Sequence, residues 1–213
     1  MEWLASFTDL VLHLDKHLVF FVQQYGDWVY ALLFAIIFTE TGVVVAPFLP
    51  GDSLLFVAGA LCVTEGMSLP LLMVLLVAAA ILGDAVNYSV GRWFGVALMT
   101  RTRLISPEKI KYTQDFFEKH GPKTIVIARF LPIVRTMAPF VAGFSGMQAK
   151  RFLTYNVSGG LLWVVSLTLA GYLFGNIPFI KNNLTAVILV IIFVSILPGI
   201  IAVIRARAAG TKS

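Results

Sequence analysis

The chain has 213 residues, of which 59% are hydrophobic and 13% charged, and its mean hydropathy is +0.89. Soluble domains carry about 25% charged residues, so this composition excludes an ordinary soluble domain. It predicts an all-α integral membrane protein with a single membrane domain, residues 1–213. The formal net charge is +5, but no aromatic reading surface accompanies the basic residues, so nucleic acid is not an expected partner.

Residues 1–25 begin the chain with an amphipathic segment that contains Glu2, Asp9 and Asp15. A cleavable signal peptide starts with a basic region, which this segment lacks. We therefore predict a helix that lies at the membrane interface.

The apolar segment 27–65 is interrupted at Pro50 and Gly51. Proline removes a backbone N–H and glycine permits conformations that other residues avoid, so we predict a re-entrant helical hairpin with its tip there. Alternatively, residues 27–46 span the membrane by themselves, which would place the N-terminus in the cytoplasm. The hairpin is favoured because it matches the second half of the chain and leaves a base-poor N-terminus outside.

Three later segments are long enough to cross a bilayer, since a helical span needs about 20 apolar residues. They are 69–91, 152–175 and 184–204. Between the first two we predict an amphipathic cytoplasmic helix, 101–120, and a second re-entrant hairpin, 122–147. This hairpin is interrupted at Pro132 and Pro139.

Twelve of the 16 Lys and Arg residues lie beside these spans, and cytoplasmic loops are the ones rich in such residues. They are Arg92, Arg101, Arg103, Lys109, Lys111, Lys119, Lys123, Lys150, Arg151, Arg205, Arg207 and Lys212. Placing all of them in the cytoplasm makes the three spans run inward, outward and inward. The C-terminus is then cytoplasmic, the N-terminus is periplasmic, and anionic membrane lipids are expected partners.

The chain also contains an internal repeat. FLPGDSLLFVAG at 48–59 matches FLPIVRTMAPFVAG at 130–143, and GRWFG at 91–95 matches GYLFG at 171–175. The common order of these matches predicts a duplication, and the opposite directions of the two following spans make it an inverted repeat. Irregular backbone at membrane depth must face protein or water, so we expect the two FLP tips to meet across a hydrated pocket.

Several ionisable side chains fall inside the predicted membrane segments, among them Glu40, Asp52, Asp84, Arg129 and Arg135. A charge at the centre of a bilayer helix costs about 2.5–3.5 kcal/mol on insertion scales, so such groups are candidates for function. The two arginines suit bidentate binding of a phosphate. Glu40 and Asp52, in a low-dielectric pocket, suit carrying a proton. The structural alternative is that the carboxylates only neutralise the arginines.

Asp84, Asn87 and Tyr88 share one helical face and are predicted to support this site. No Ser/His/Asp or Cys/His arrangement falls in the predicted cavity, so we expect neither an enzyme nor a catalytic residue. His13 and His17 share a helical face but have no third ligand in view, so no metal or other cofactor is predicted.

Three segments carry a resemblance to a known family: FTETGVVVAPFLPGDSLLFVAGAL, GDAVNYSVGRWFG and FFEKHGPKTIVIARFLPIVRTMAPFVAG. They resemble the DedA family, the bacterial branch of the superfamily that includes the SNARE-associated Golgi (VTT-domain) proteins. The likeness runs from about Tyr25 to Gly175. The residues essential in that family correspond to Glu40, Asp52, Arg129 and Arg135 in this sequence.

The resemblance implies a multi-pass protein of the bacterial inner membrane that moves lipid as a flippase or scramblase. For bacterial members it implies translocation of undecaprenyl phosphate for carrier-lipid recycling, with dependence on the proton-motive force in close relatives. For eukaryotic relatives it implies phospholipid scrambling. Two other classes stay open: a proton-coupled antiporter of small cations or drugs, and a scaffold for membrane organisation. A homo-oligomer is among the assemblies that the sequence allows.

Overall fold

A computed structural model of the protein describes residues 14–43, 51–101 and 123–175, with scattered positions from 177 to 193. The regular elements in the three continuous ranges are all α-helices. They are α1 (Leu14–Tyr25), α2 (Trp28–Gly42), α3 (Gly51–Thr64), α4 (Leu69–Arg101), α5 (Lys123–Ala128), α6 (Pro132–Phe144) and α7 (Ala149–Phe174). The prediction of an all-α chain is confirmed for these residues.

Among the described residues, two helices are long and apolar enough to cross a bilayer: Leu69–Phe94 of α4 and Ala149–Phe174 of α7, each of 26 residues. At 1.5 Å per residue each is about 39 Å long, more than the hydrocarbon core of about 30 Å. Only 33% of the most apolar stretch of each helix is buried, which leaves most of its surface for lipid. These helices correspond to the predicted spans 69–91 and 152–175.

Some predicted segments lie wholly or largely outside the described residues. These are the cytoplasmic helix 101–120, the span 184–204, the first half of the interfacial helix 1–25, and Pro50 at the first hairpin tip. Helix α1 covers the second half of the segment 1–25.

The helices of the two predicted hairpins are short. Helices α2 and α3 have 15 and 14 residues, so they are about 22 and 21 Å long, less than the thickness of the hydrocarbon core. Such lengths suit helices that enter a membrane without crossing it. The re-entrant path and the inverted orientation of the two halves stay predictions.

The two prolines of the second hairpin have different roles. Leu131 is extended (φ −121°, ψ 101°) and Pro132 is the first residue of α6, where the missing N–H needs no helical partner. The sequence predicts Pro139 as part of the hairpin tip, but the structure places it inside α6, which continues to Phe144. A helix can tolerate an interior proline in a membrane protein because neighbouring groups compensate for the lost hydrogen bond.

By its internal packing the chain forms two compact units. The first unit contains Met1–Ala35, Pro50–Leu76 and Val164–Ser213, and the second unit contains Ile36–Leu49 and Val77–Trp163. Helices α2, α4 and α7 each contribute residues to both units.

In the first unit, close packing of α3 on the end of α7 depends on two glycines. A Cβ atom at Gly59 would collide with the carbonyl oxygen of Thr168, and one at Gly171 would collide with the carbonyl oxygen of Phe56. The Tyr30 hydroxyl also accepts a hydrogen bond from the Ser68 N–H at 2.7 Å, which fixes the start of α4 beside α2.

The second unit contains the same kind of contact between α4 and α6. A Cβ atom at Gly91 would collide with the carbonyl oxygen of Phe140, and one at Gly143 would collide with the carbonyl oxygen of Tyr88. Gly59 and Gly143 end the two repeated FLP motifs, and Gly91 and Gly171 begin the two repeated GxxFG motifs. Corresponding glycines of the repeat therefore make corresponding contacts inside the two units.

We expect Gly143→Ala to destabilise the protein by about 1–3 kcal/mol, because the added methyl group overpacks a helix contact. Helix propensity alone would favour alanine by up to about 1 kcal/mol, so the packing effect is opposite in sign. Thermal unfolding of the purified protein measures the change. Gly42→Ala is the control, since its Cβ would lie 3.4 Å from the nearest atom, on Gly83. Equal stability of both variants would contradict the close-packing account.

Candidate functional site

An ion pair connects α2 and α6 in the second unit. Glu40 Oε1 accepts a hydrogen bond from Arg135 Nη2, and the two side chains are 0% and 4% exposed. Arg135 lies in the first turn of α6, whose opening bond runs from the Arg135 N–H to the Leu131 carbonyl at 2.8 Å. The helix start at Pro132 therefore determines where the Arg135 side chain lies in the protein interior.

A second buried ion pair lies on the other side of that break. Arg129 directly follows α5 and lies in a turn. In this turn the N–H groups of Phe130 and Leu131 donate to the carbonyls three residues earlier. Its Nη2 atom donates to Asp84 Oδ2 of α4 at 2.5 Å and also to Asn156 Oδ1 of α7. Arg129 and Asp84 are each about 1% exposed, so both charges are removed from solvent.

One face of α7 receives both guanidinium groups. The ring centroid of Trp163, which is fully buried, lies 4.5 Å from Arg135 Cζ and 6.0 Å from Arg129 Cζ. Both distances fall within the range of cation–π attraction. One helical turn earlier, a Cβ atom at Gly159 would lie 3.1 Å from Arg129 Cδ. The glycine therefore leaves room for the arginine side chain to lie against the helix.

Asn87 stabilises the backbone beside the Glu40–Arg135 pair. Its Nδ2 atom donates to the Thr41 carbonyl at 3.2 Å and to the Thr136 carbonyl at 2.8 Å. Thr41 and Thr136 directly follow the two charged residues in the sequence. A single carboxamide of α4 therefore ties α2 to α6 where the ion pair forms.

Tyr88 lies farther along α4. Its hydroxyl donates to the Met147 carbonyl, and its ring stacks on Phe152 with centroids 4.3 Å apart. Tyr88 thus fixes the turn between α6 and α7.

Part of the hydrogen-bonding capacity of this cluster is unused. Among the described residues, Arg129 Nε and Nη1, Asp84 Oδ1 and Asn87 Oδ1 have no hydrogen-bond partner although they are buried. A buried polar atom without a partner costs about 1–3 kcal/mol. The cluster can therefore accept water or a ligand that brings an anionic acceptor to Arg129.

The structure brings together Glu40, Asp84, Arg129 and Arg135, with Asn87 beside them. Sequence reasoning gave Asp84 a supporting role, whereas it is the direct partner of Arg129. Asp52 lies in the first unit, partly buried in the first turn of α3. There its charge is favourably placed near the helix N-terminus. Gly51 and Pro132 begin α3 and α6, as expected of residues next to a break.

Sequence reasoning missed the contribution of α7, which is made by Asn156, Gly159, Gly160 and Trp163. A signal for them is present, because their spacing of three, four and seven residues from Asn156 places them on one helical face. A polar residue, two glycines and a tryptophan on one stripe of an apolar helix indicate a surface that receives something other than lipid.

Comparisons with known proteins find a family and several relatives. The VTT domain matches residues 49–173. The chain is 51% identical to Protein DedA of Escherichia coli K12, over all of this chain and 99% of that protein. It is 44% identical to Inner membrane protein YqjA of the same organism, over 71% of this chain and 70% of that protein. An uncharacterized membrane protein of Mycobacterium leprae is 41% identical over 86% of this chain and 85% of its own length. No solved structure matches the chain. The chain therefore belongs to the VTT-domain family of DedA-like membrane proteins.

Proposed function

We propose that this protein moves a phosphate-bearing lipid, undecaprenyl phosphate, across the bacterial inner membrane, and that the proton-motive force drives the movement. The observation that carries the proposal is the pair of buried guanidinium groups, one of which has donors left for an anion. Arg129 and Arg135 bind the phosphate group, while the polyprenyl chain stays in lipid. Guanidinium groups suit this task because their planar donors match phosphate oxygens.

The charge of the cluster supports a link between phosphate and protons. The two arginines and the two carboxylates have no net charge together. A bound phosphate with at least one negative charge therefore gives the cluster an excess of buried negative charge. Such an excess is strongly unfavourable in a low-dielectric interior. A proton taken up by Glu40 or Asp84 restores neutrality and frees its arginine for the phosphate. Protons would then travel with the lipid or be released as it leaves.

The same charge arrangement argues against an antiporter of small cations. A cation would be repelled by the two arginines, which already offset the charges of Glu40 and Asp84. Phospholipid scrambling stays the alternative function, because a phospholipid also presents a phosphate. Transport assays with both lipids distinguish the two.

We expect Glu40→Gln and Asp52→Asn to lose most proton-driven transport, measured per folded protein because Glu40→Gln also removes the counter-ion of buried Arg135. Glu40 is the partner of Arg135, and Asp52 is assigned by the family resemblance. Transport of undecaprenyl phosphate into proteoliposomes, with and without a pH gradient, measures the effect. Asp27→Asn, at an exposed carboxylate, is the matched control and should transport normally. Full activity of both amide variants would overturn proton coupling through these residues.

The distribution of basic residues leads us to propose a periplasmic N-terminus and a cytoplasmic C-terminus. Thiol labelling of single cysteines at Thr8 and Thr211, in a protein without Cys62, should label the two sites from opposite sides of the membrane. Labelling of both from the same side would favour the alternative in which residues 27–46 cross the membrane.

A further inference from the structure

Two buried guanidinium groups next to the same aromatic ring pose an electrostatic problem. Like charges in a low-dielectric interior repel each other, so the surrounding residues must hold the two guanidinium groups at a suitable separation. Glu40 and Asp84 offset the charges of Arg135 and Arg129.

Trp163 lies beside both guanidinium groups. Its ring centroid is 4.5 Å from Arg135 Cζ and 6.0 Å from Arg129 Cζ, so the electron-rich face of one indole attracts both cations. The residue is completely buried, and desolvation strengthens such contacts. Asn156, two turns earlier on α7, accepts from Arg129 and donates to the Ile81 carbonyl of α4 at 3.0 Å, which fixes this helix next to the arginines.

We propose that Trp163 is a positioning residue, which sets the separation and orientation of Arg129 and Arg135 so that both can bind one phosphate group. This inference rests on the proposed function, and it assigns to α7 a role in binding the substrate headgroup. The competing explanation is that Trp163 only fills volume in the core. The two explanations differ in the effect that they predict when Trp163 is replaced by a residue without an aromatic ring. The quantity to compare is phosphate binding per folded protein.

Binding of undecaprenyl phosphate to purified protein in nanodiscs tests the proposal with Trp163→Phe and Trp163→Leu. Leucine lacks the ring, so we expect about tenfold weaker binding per folded protein, whereas phenylalanine keeps a weaker ring and should stay within about threefold of wild type. Trp93→Leu is the matched control, since Trp93 is 68% exposed, and it should bind normally. Equal losses in the Phe and Leu variants, or no loss in either, would overturn the positioning role.

A parallel titration with inorganic phosphate separates the two sources of the anion. If inorganic phosphate competes with the lipid and shows the same dependence on Trp163, the ring acts on headgroup recognition. If substitution of Trp163 leaves binding of the lipid unchanged at every phosphate concentration, the inference is contradicted and the proposed function stays intact.

A double-mutant cycle of mild substitutions tests, without any ligand, whether Trp163 and Arg135 are energetically coupled. Arg135→Lys removes the planar cation and Trp163→Phe weakens the ring, so the two changes should not be additive in the melting temperature. We expect the loss caused by Arg135→Lys to be about half as large in the Trp163→Phe background. Additive losses would refute the proposed coupling of Trp163 to Arg135. If wild type binds no phosphate probe, the proposed function fails, and this cycle still determines whether Trp163 positions the arginines.

Discussion

Asp84→Asn is expected to cost about 3–5 kcal/mol in the free energy of unfolding, because it leaves Arg129 as a buried charge without its counter-ion. Bulk solvent offers Arg129 little compensation, since its side chain is 1% exposed. Asparagine has nearly the shape of aspartate, so the loss reflects charge and not packing. Chemical or thermal unfolding of the purified protein in detergent measures it. Glu65→Gln, at a half-buried carboxylate that accepts a hydrogen bond from Gln23, should cost far less.

The double variant Asp84→Asn/Arg129→Gln separates the structural explanation from the functional one. Removing both charges eliminates the unpaired ion, so we expect most of the lost stability to return. Phosphate binding should not return, because one of the two guanidinium groups is gone. If the double variant is stable and also binds undecaprenyl phosphate like wild type, Arg129 serves only as the counter-ion of Asp84.

The features that could be predicted from the sequence are the ones that depend on local chemistry. Length and hydropathy identify the spans 69–91 and 152–175 because the bilayer acts on each helix separately. Pro132 marks a helix start because proline restricts its own backbone. Pro139 shows the limit of this reasoning. The same local rule predicts a break there, but the effect of an interior proline depends on neighbouring groups that the local sequence does not specify.

The pairing of charges could not be predicted, because it depends on contacts between residues far apart in the chain. Arg135 is 95 residues from Glu40, and Arg129 is 45 residues from Asp84. The sequence shows that acids and arginines occur in apolar segments, but several pairings satisfy charge balance equally well. For a related reason, Trp163 cannot be identified as a site residue from the sequence. Tryptophan is common in membrane proteins, and only the fold shows that its ring lies beside two cations.

Arg129→Lys and Arg135→Lys should each weaken the binding of undecaprenyl phosphate about tenfold or more. Lysine keeps the positive charge, so Asp84 and Glu40 retain a counter-ion and the protein should fold. It lacks the planar set of donors with which a guanidinium can bind a carboxylate and a phosphate at the same time. Arg129 already donates to both Asp84 and Asn156 through one nitrogen while Nε and Nη1 remain for a ligand, a division of donors that a single ammonium group cannot reproduce.

Binding to wild type and to the two lysine variants, normalised to folded protein, therefore distinguishes recognition from charge balance. Arg151→Lys is the matched control, because Arg151 is exposed at the start of α7, and it should bind the lipid normally. If the arginines are only counter-ions, lysine suffices at both positions and any loss follows the amount of folded protein. Equal affinity in wild type and both lysine variants would contradict the phosphate-binding role, because charge alone would then account for every effect of these two residues.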